Sequence, residues 1–308
     1  MTCRASMEGD DTTEQPNSRA AFTGVDAHGK VHAQWQENDK INILYSGQSD
    51  LYKDPFTLDK NQGFVHGVFT GSASYSAAKF TALYPYQSEA EYNGTEVSNV
   101  VLPTWQTATA GSFDPYAGLL MGEAENPKTS PLEIDMNFKY VCSFIELAPT
   151  FDCKSIIVST RSSNEYLSGN FYLRYNEIPE RSNDALKMTK LVNQVTLQGP
   201  IVANQTYYIA VLPGTYNSGI RVTCVGNDGK MMTKERSSAV TLERGKIHRM
   251  TAFLSNPASA EVDGVDLGTG DGILWATRNL GATAPQEFGD KYVWGESKPL
   301  YSYTSDSD

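Results

Sequence analysis

Apolar residues along this chain recur at every second position in short runs that end in Gly, Pro, Asn or Asp, a pattern that admits strands and tight turns rather than helices. Lys40 to Tyr45, Lys79 to Tyr84, Phe138 to Leu147, Lys154 to Ser159, Tyr207 to Leu212, Gly219 to Val225 and Lys246 to Leu254 are the predicted strands. Within one of them, Phe138, Tyr140, Cys142 and Phe144 face one way and Val141, Ile145 and Leu147 the other. Both faces are apolar, as expected for a strand in the middle of a sandwich. Asn227-Asp228-Gly229-Lys230 reads as a short hairpin connection, and Ala27-His28-Gly29-Lys30 as another.

A chain of 308 residues exceeds one ordinary domain. The segment 119–131 is rich in Gly, Pro, Asn and Glu and carries no strand signal after Met121, which places an inter-domain region there. The predicted units are therefore 19–131 and 132–254, with a third region at 255–308 too short for a core of its own. Ahead of them, Cys3 is followed by a polar run to about Ser18 that reads as a flexible tether, residues 1–18. This opening looks like a mature bacterial lipoprotein with Cys3 as the lipid attachment residue; a chance cysteine is the bland alternative. No run of roughly 20 apolar residues is present, so any membrane attachment is expected through such an anchor alone.

The net charge of -11, with Lys and Arg scattered, opposes capture of a phosphate backbone, and no nucleic-acid partner is expected. Chemistry is equally hard to find. His28, His32, His66 and His248 have no repeated spacing to Cys or carboxylate, and Cys3, Cys142, Cys153 and Cys224 form no C-x-x-C pair. Cys142 and Cys224 read as small buried hydrophobes, and Cys153 could pair with either. There is no G-x-S-x-G elbow, and Glu89/Glu91 and Glu123/Glu125 read as solvated loop charges. Gly268-Thr269-Gly270-Asp271-Gly272 lacks the last glycine and the helix of a nucleotide fingerprint. Tyr84-Pro85-Tyr86, Tyr172 with Tyr175, and Tyr207-Tyr208 could stack on sugar rings, but core packing accounts for most of them. No catalytic, cofactor-binding or metal residue is assigned, no cofactor is expected, and the chain does not read as an enzyme.

Several segments in order resemble the fimbrillin-like proteins of Bacteroidetes, which include fimbrial subunits and surface adhesins. They are Arg19-Ala20-Ala21-Phe22-Thr23, then Trp35 with Asn38-Asp39-Lys40-Ile41, Gly63, Phe69 and Gly71, Tyr84-Pro85, and Leu102-Pro103 with Gln106. Phe138 to Phe144, Tyr166-Leu167-Ser168-Gly169, Tyr207 to Pro213 and Leu242-Glu243-Arg244-Gly245-Lys246 complete the set. Independently of any family, Trp35 reads as a core anchor, Asp39 as a turn residue and Gly245 as a turn glycine. Leu274-Trp275-Ala276-Thr277-Arg278-Asn279-Leu280-Gly281-Ala282 and Trp294-Gly295-Glu296 resemble the start of a W-A-T-x-N-x-G-A…W-G-E module of bacterial surface proteins, and the resemblance implies that the module is only partial here.

The resemblance implies an all-β fold of two Greek-key, transthyretin-like β-sandwiches in tandem. It implies a cell-surface adhesin or a fimbrial subunit of tip or accessory kind, exported to the outer membrane as a lipoprotein. Its partners would be other fimbrial subunits, joined by donor-strand exchange, together with host or bacterial surface proteins or glycans. In such proteins a cut after an Arg removes the first strand. Arg19, where the polar run meets the apolar Ala20 to Thr23, is the expected site, and Lys30 is the more interior alternative. The rival reading is a glycan-binding outer-membrane lipoprotein of a polysaccharide-uptake system.

Overall fold

The computed structural model describes residues 1–8, 21–25, 29–47, 50–74, 76–178, 188–227, 229 and 231–250, with short segments at 264–266, 274–276, 291–292 and 299–301. Strands dominate, as the alternation predicts, and the one helical element among the described residues is a single 3-10 turn, Tyr175–Glu177.

Seven strands close into a ring in the order Thr2–Met7, Glu133–Tyr140, Leu120–Glu125, Lys79–Tyr84, Lys40–Ser46, Leu51–Lys60 and His66–Thr70. Trp35, fully buried, lies at the centre of the ring's core. Its indole meets the rings of Phe69, Tyr84 and Phe138 edge-on at centroid distances of 4.9, 5.1 and 5.4 Å. Asp39 has the turn role expected of it and one more. One carboxylate oxygen accepts the Gln36 amide at 2.7 Å, and the other accepts the buried Tyr84 hydroxyl at 3.0 Å.

A five-stranded sheet (Trp105–Thr107, Gln194–Ile201, Cys153–Thr160, Ile220–Gly226, Met231–Arg236) faces a three-stranded one (Tyr207–Val211, Ser143–Leu147, Ile247–Arg249) across a second core. The three-stranded sheet is apolar on both faces. Ile145, Leu147, Ile209 and Val211 pack into the second core, whereas Phe144, Tyr208 and Ala210 belong to the first. Both predicted hairpins form. Ala21–Val25 pairs with Val31–Gln34, and Ile220–Gly226 with Met231–Arg236, with Gly29 and Gly229 at positive φ. Further pairs are Gly264–Asp266 with Leu274–Ala276 and Lys291–Tyr292 with Pro299–Tyr301.

Three boundaries differ from the sequence expectation. Phe138 to Leu147 is two strands, because the chain changes sheet at Val141 and Cys142, where Val141 donates to Leu119 and Cys142 accepts from Gly245. Leu120–Glu125, expected to lie partly in a linker, is a ring strand; pairing with Lys79–Tyr84 and a Lys79–Glu123 ion pair outweigh its polar composition. Hence the ring extends to Tyr140 rather than 131, and the units are not simply consecutive. Val97–Leu102 and Trp105–Thr107, from the first half of the chain, pair with Ser168–Leu173 and Gln194–Ile201 of the second. The tether over 1–18 is corrected in its first part: Thr2–Met7 is a strand, and residues 9–20 lie outside the described ones.

Candidate functional site

The first strand closes the ring. It runs antiparallel to His66–Thr70, with Cys3 opposite Phe69 and Ala5 opposite Gly67, and parallel to Glu133–Tyr140, with Cys3 beside Ile134 and Met7 beside Phe138. Its own alternation explains why it sits there. Cys3, Ala5 and Met7 point inward and are 0%, 2% and 5% exposed, while Arg4 points to solvent. The Ala5 carbonyl accepts the Trp35 indole N–H at 3.3 Å, which ties the strand directly to the core anchor.

Gly67, across from Ala5, is there because nothing larger fits. A Cβ at this position would stand 2.7 Å from Trp35 Cδ1 and 2.8 Å from Leu58 Cδ1.

On the outer face Arg4 forms ion pairs with Glu133 and, at 3.7 Å, with Asp135, and Ser6 bonds to Asn137. The far end reaches the second unit. Glu8 accepts the Tyr140 amide at 2.7 Å and the Arg244 guanidinium, and Arg244 also donates to the Tyr140 carbonyl at 3.1 Å. Gly245, at φ +66°, makes the turn that presents Arg244, as its sequence context predicts. The arrangement is a groove filled by the chain's own strand, held by a backbone ladder on both sides, three inward side chains, an ion pair on its outer face and a charged clasp at its far end.

Cys3, expected to be the lipid attachment residue, lies in the core. Burial, helped by Asp135, pushes its thiol up to about 12. The strand is hidden in the sequence because the polar stretch after Met7 masks a period-two pattern in the five residues before it. The groove's other members, Arg4, Ala5, Met7, Glu8 and Arg244, escape sequence reasoning; the spacing of Cys3, Ala5 and Met7 is the one signal that could have found them. Arg19 lies outside the described residues. Lys30 is exposed and forms a single bridge with Lys246.

The tyrosines considered for sugar stacking divide as core packing predicts. Tyr84, Tyr207 and Tyr208 are buried, and Tyr86, Tyr172 and Tyr175 are half-buried. Glu123 and Glu125 stand on a strand rather than in a loop. Among the described residues no three His, Cys, Asp or Glu side chains are placed to hold a metal ion, and no helix is long and apolar enough to cross a membrane.

The profile of a family described as fimbrillin-like matches residues 25–266. Among solved structures, a candidate cell adhesion protein from Bacteroides uniformis is similar at 15% identity and a TM-score of 0.46, covering 73% of this chain and 92% of that one. A second candidate cell adhesion protein, from Bacteroides ovatus, is 13% identical with a TM-score of 0.44, covering 81% and 90% respectively. A fimbrial protein from Bacteroides ovatus is 12% identical with a TM-score of 0.34, covering 76% of this chain and 49% of that one. No curated protein matches the chain.

Proposed function

The chain belongs to the fimbrillin-like family, and from that premise we propose that it is a cell-surface adhesin or a fimbrial subunit of tip or accessory kind that assembles by β-strand addition. The observation that carries the proposal is the filled groove. Its occupant, Thr2–Met7, precedes Arg19, so one cut there leaves the strand attached by non-covalent contacts alone. Its departure would leave unpaired backbone groups on His66–Thr70 and Glu133–Tyr140 and expose the pockets of Cys3, Ala5 and Met7. Each lost backbone bond costs about 1 kcal/mol and the Met7 pocket about 1.5–3 kcal/mol, which favours entry of another strand. Strand addition of this kind takes affinity from main-chain bonds and specificity from the alternate side-chain pockets. A module appended after the second unit, as the resemblance of the region 255–308 implies, suits a tip or accessory place. While the strand is seated Cys3 cannot carry a lipid, so the proposal puts no anchor on that residue.

Limited trypsin treatment followed by intact mass, size-exclusion chromatography and addition of a Thr2–Glu8 peptide tests the proposal. A cut at Arg19 that makes the groove exchange its strand for the labelled peptide is the expected result. A clean cut that leaves a stable monomer unable to take up any strand peptide would show a stand-alone protein instead.

A further inference from the structure

Two strands of the second core bring two of the four thiols together. Cys153 opens the strand Cys153–Thr160, and Cys224 lies on its antiparallel neighbour Ile220–Gly226. Cys153 is paired with Gly226 and Ile156 with Cys224, because the register slips between Cys153 and Ser155. Three steps on one strand thus oppose two on the other, as at a β-bulge, and Cys153, Ile156 and Cys224 all turn into the same core. The register sets Cys153 and Cys224 diagonally across this strand pair, and each thiol shifts the acidity of the other. The other two cysteines stand apart from them. Cys3 and Cys142 belong to the first core, where the Cys142 sulfur faces the Ala117 carbonyl at 3.6 Å.

We propose that Cys153 and Cys224 are a disulfide-forming pair that staples neighbouring strands of the five-stranded sheet. The inference uses the surface location proposed above only for its setting, since structural disulfides form and persist outside the cytoplasm; the pairing itself rests on geometry.

The oxidant is the disulfide of an oxidoreductase or of glutathione. Cys153, losing its proton, attacks one sulfur of that disulfide and expels the other as a thiolate, which takes up the proton. Cys224 then gives up its proton and attacks the Cys153 sulfur of the mixed disulfide, expelling the second thiol. Two protein thiols are oxidised and one disulfide is reduced to two thiols. The order follows from position and acidity. Cys153 is the first residue of its strand, and the hydrogen bond from Cys224 lowers its thiol, whereas the same bond and burial push Cys224 up. Such a link would join residues 153 and 224 across a long stretch of chain, the case in which a cross-link restrains the unfolded state most.

The test is to refold the reduced full chain with glutathione disulfide, block free thiols in denaturant with iodoacetamide and map the peptides by mass spectrometry. A single linked peptide pair carrying Cys153 and Cys224, with Cys3 and Cys142 alkylated, is expected. Cys224→Ser should retain glutathione on Cys153, Cys153→Ser should retain far less on Cys224, and Cys142→Ser should leave the link intact. In the unsubstituted chain the melting temperature should fall by several degrees on reduction, and this shift should vanish in Cys153→Ser. Alkylation of all four cysteines after oxidative refolding, or a link that includes Cys142 or Cys3, overturns the proposal. A trypsin experiment that fails to show strand exchange leaves these outcomes unchanged, so the two proposals fail separately.

Discussion

Gly67→Ala probes the groove with one methyl group. The added Cβ would stand 2.7 Å from Trp35 Cδ1, 2.9 Å from Trp35 Cγ and 2.8 Å from Leu58 Cδ1. Ordinary carbon contacts begin near 3.5 Å, so about 0.6–0.8 Å of overlap must be relieved. The indole has little freedom to move, because Phe69, Tyr84 and Phe138 enclose it edge-on and its N–H is bonded to the Ala5 carbonyl. Overpacking of a closed core by a methyl costs about 1–3 kcal/mol. For a chain of this size that corresponds to a fall of about 1.5–5 °C in melting temperature. The least costly relief is to give up the Trp35–Ala5 bond, so the strain should fall on the first strand. Iodoacetamide labelling of Cys3, followed by peptide mass spectrometry, reports the seating of that strand because the thiol is fully buried when the strand is in place. Gly67→Ala should label Cys3 several times faster than the unsubstituted chain, and calorimetry should show the lowered melting temperature. A melting temperature within a degree and unchanged Cys3 labelling would refute the reasoning.

Three further outcomes follow from other contacts. Arg244→Ala removes the cation paired with Glu8 and one donor to the Tyr140 carbonyl, and should cost about 1–3 kcal/mol in urea unfolding with faster release of the first strand after trypsin cleavage. Arg4→Glu faces Glu133 and Asp135 across a solvent-exposed edge; its effect on the melting temperature should be small, shrink in high salt and be restored by Glu133→Arg, all readable by thermal melting. His248 is held below its ordinary value of 6.5, first by burial, and its Nε2 accepts the Glu243 amide at 2.9 Å. A depressed folded value means that the unfolded chain binds the proton more tightly, so this contribution is complete above 6.5 and is lost as the pH falls below it. Unfolding midpoints measured between pH 5 and 8 should therefore fall on the acid side, and His248→Gln should flatten that slope.

What the sequence determined by itself was what local patterning can carry. Period-two alternation and turn residues are properties of a few neighbouring residues, so the all-β class, the hairpins at Gly29 and Gly229, the core role of Trp35 and the turns at Asp39 and Gly245 could all be read directly. Sheet membership depends on distant partners. Leu120–Glu125 looked like a linker by composition, yet it is a strand because Lys79–Tyr84 supplies its ladder. Phe138 to Leu147 looked like one strand because both halves alternate, and only the packing of two cores shows that it divides at Val141 and Cys142. The same limit governed the groove. Cys3 carried a short alternating pattern, but its burial was decided by Phe69 and Ile134, which lie more than sixty residues away in the sequence. Which strand Cys153 lies beside, left open by the sequence, was likewise decided by pairing between two strands some seventy residues apart. Tertiary structure alone decides such matters, since a strand's backbone bonds are made with another segment of chain and its own residues do not name that segment.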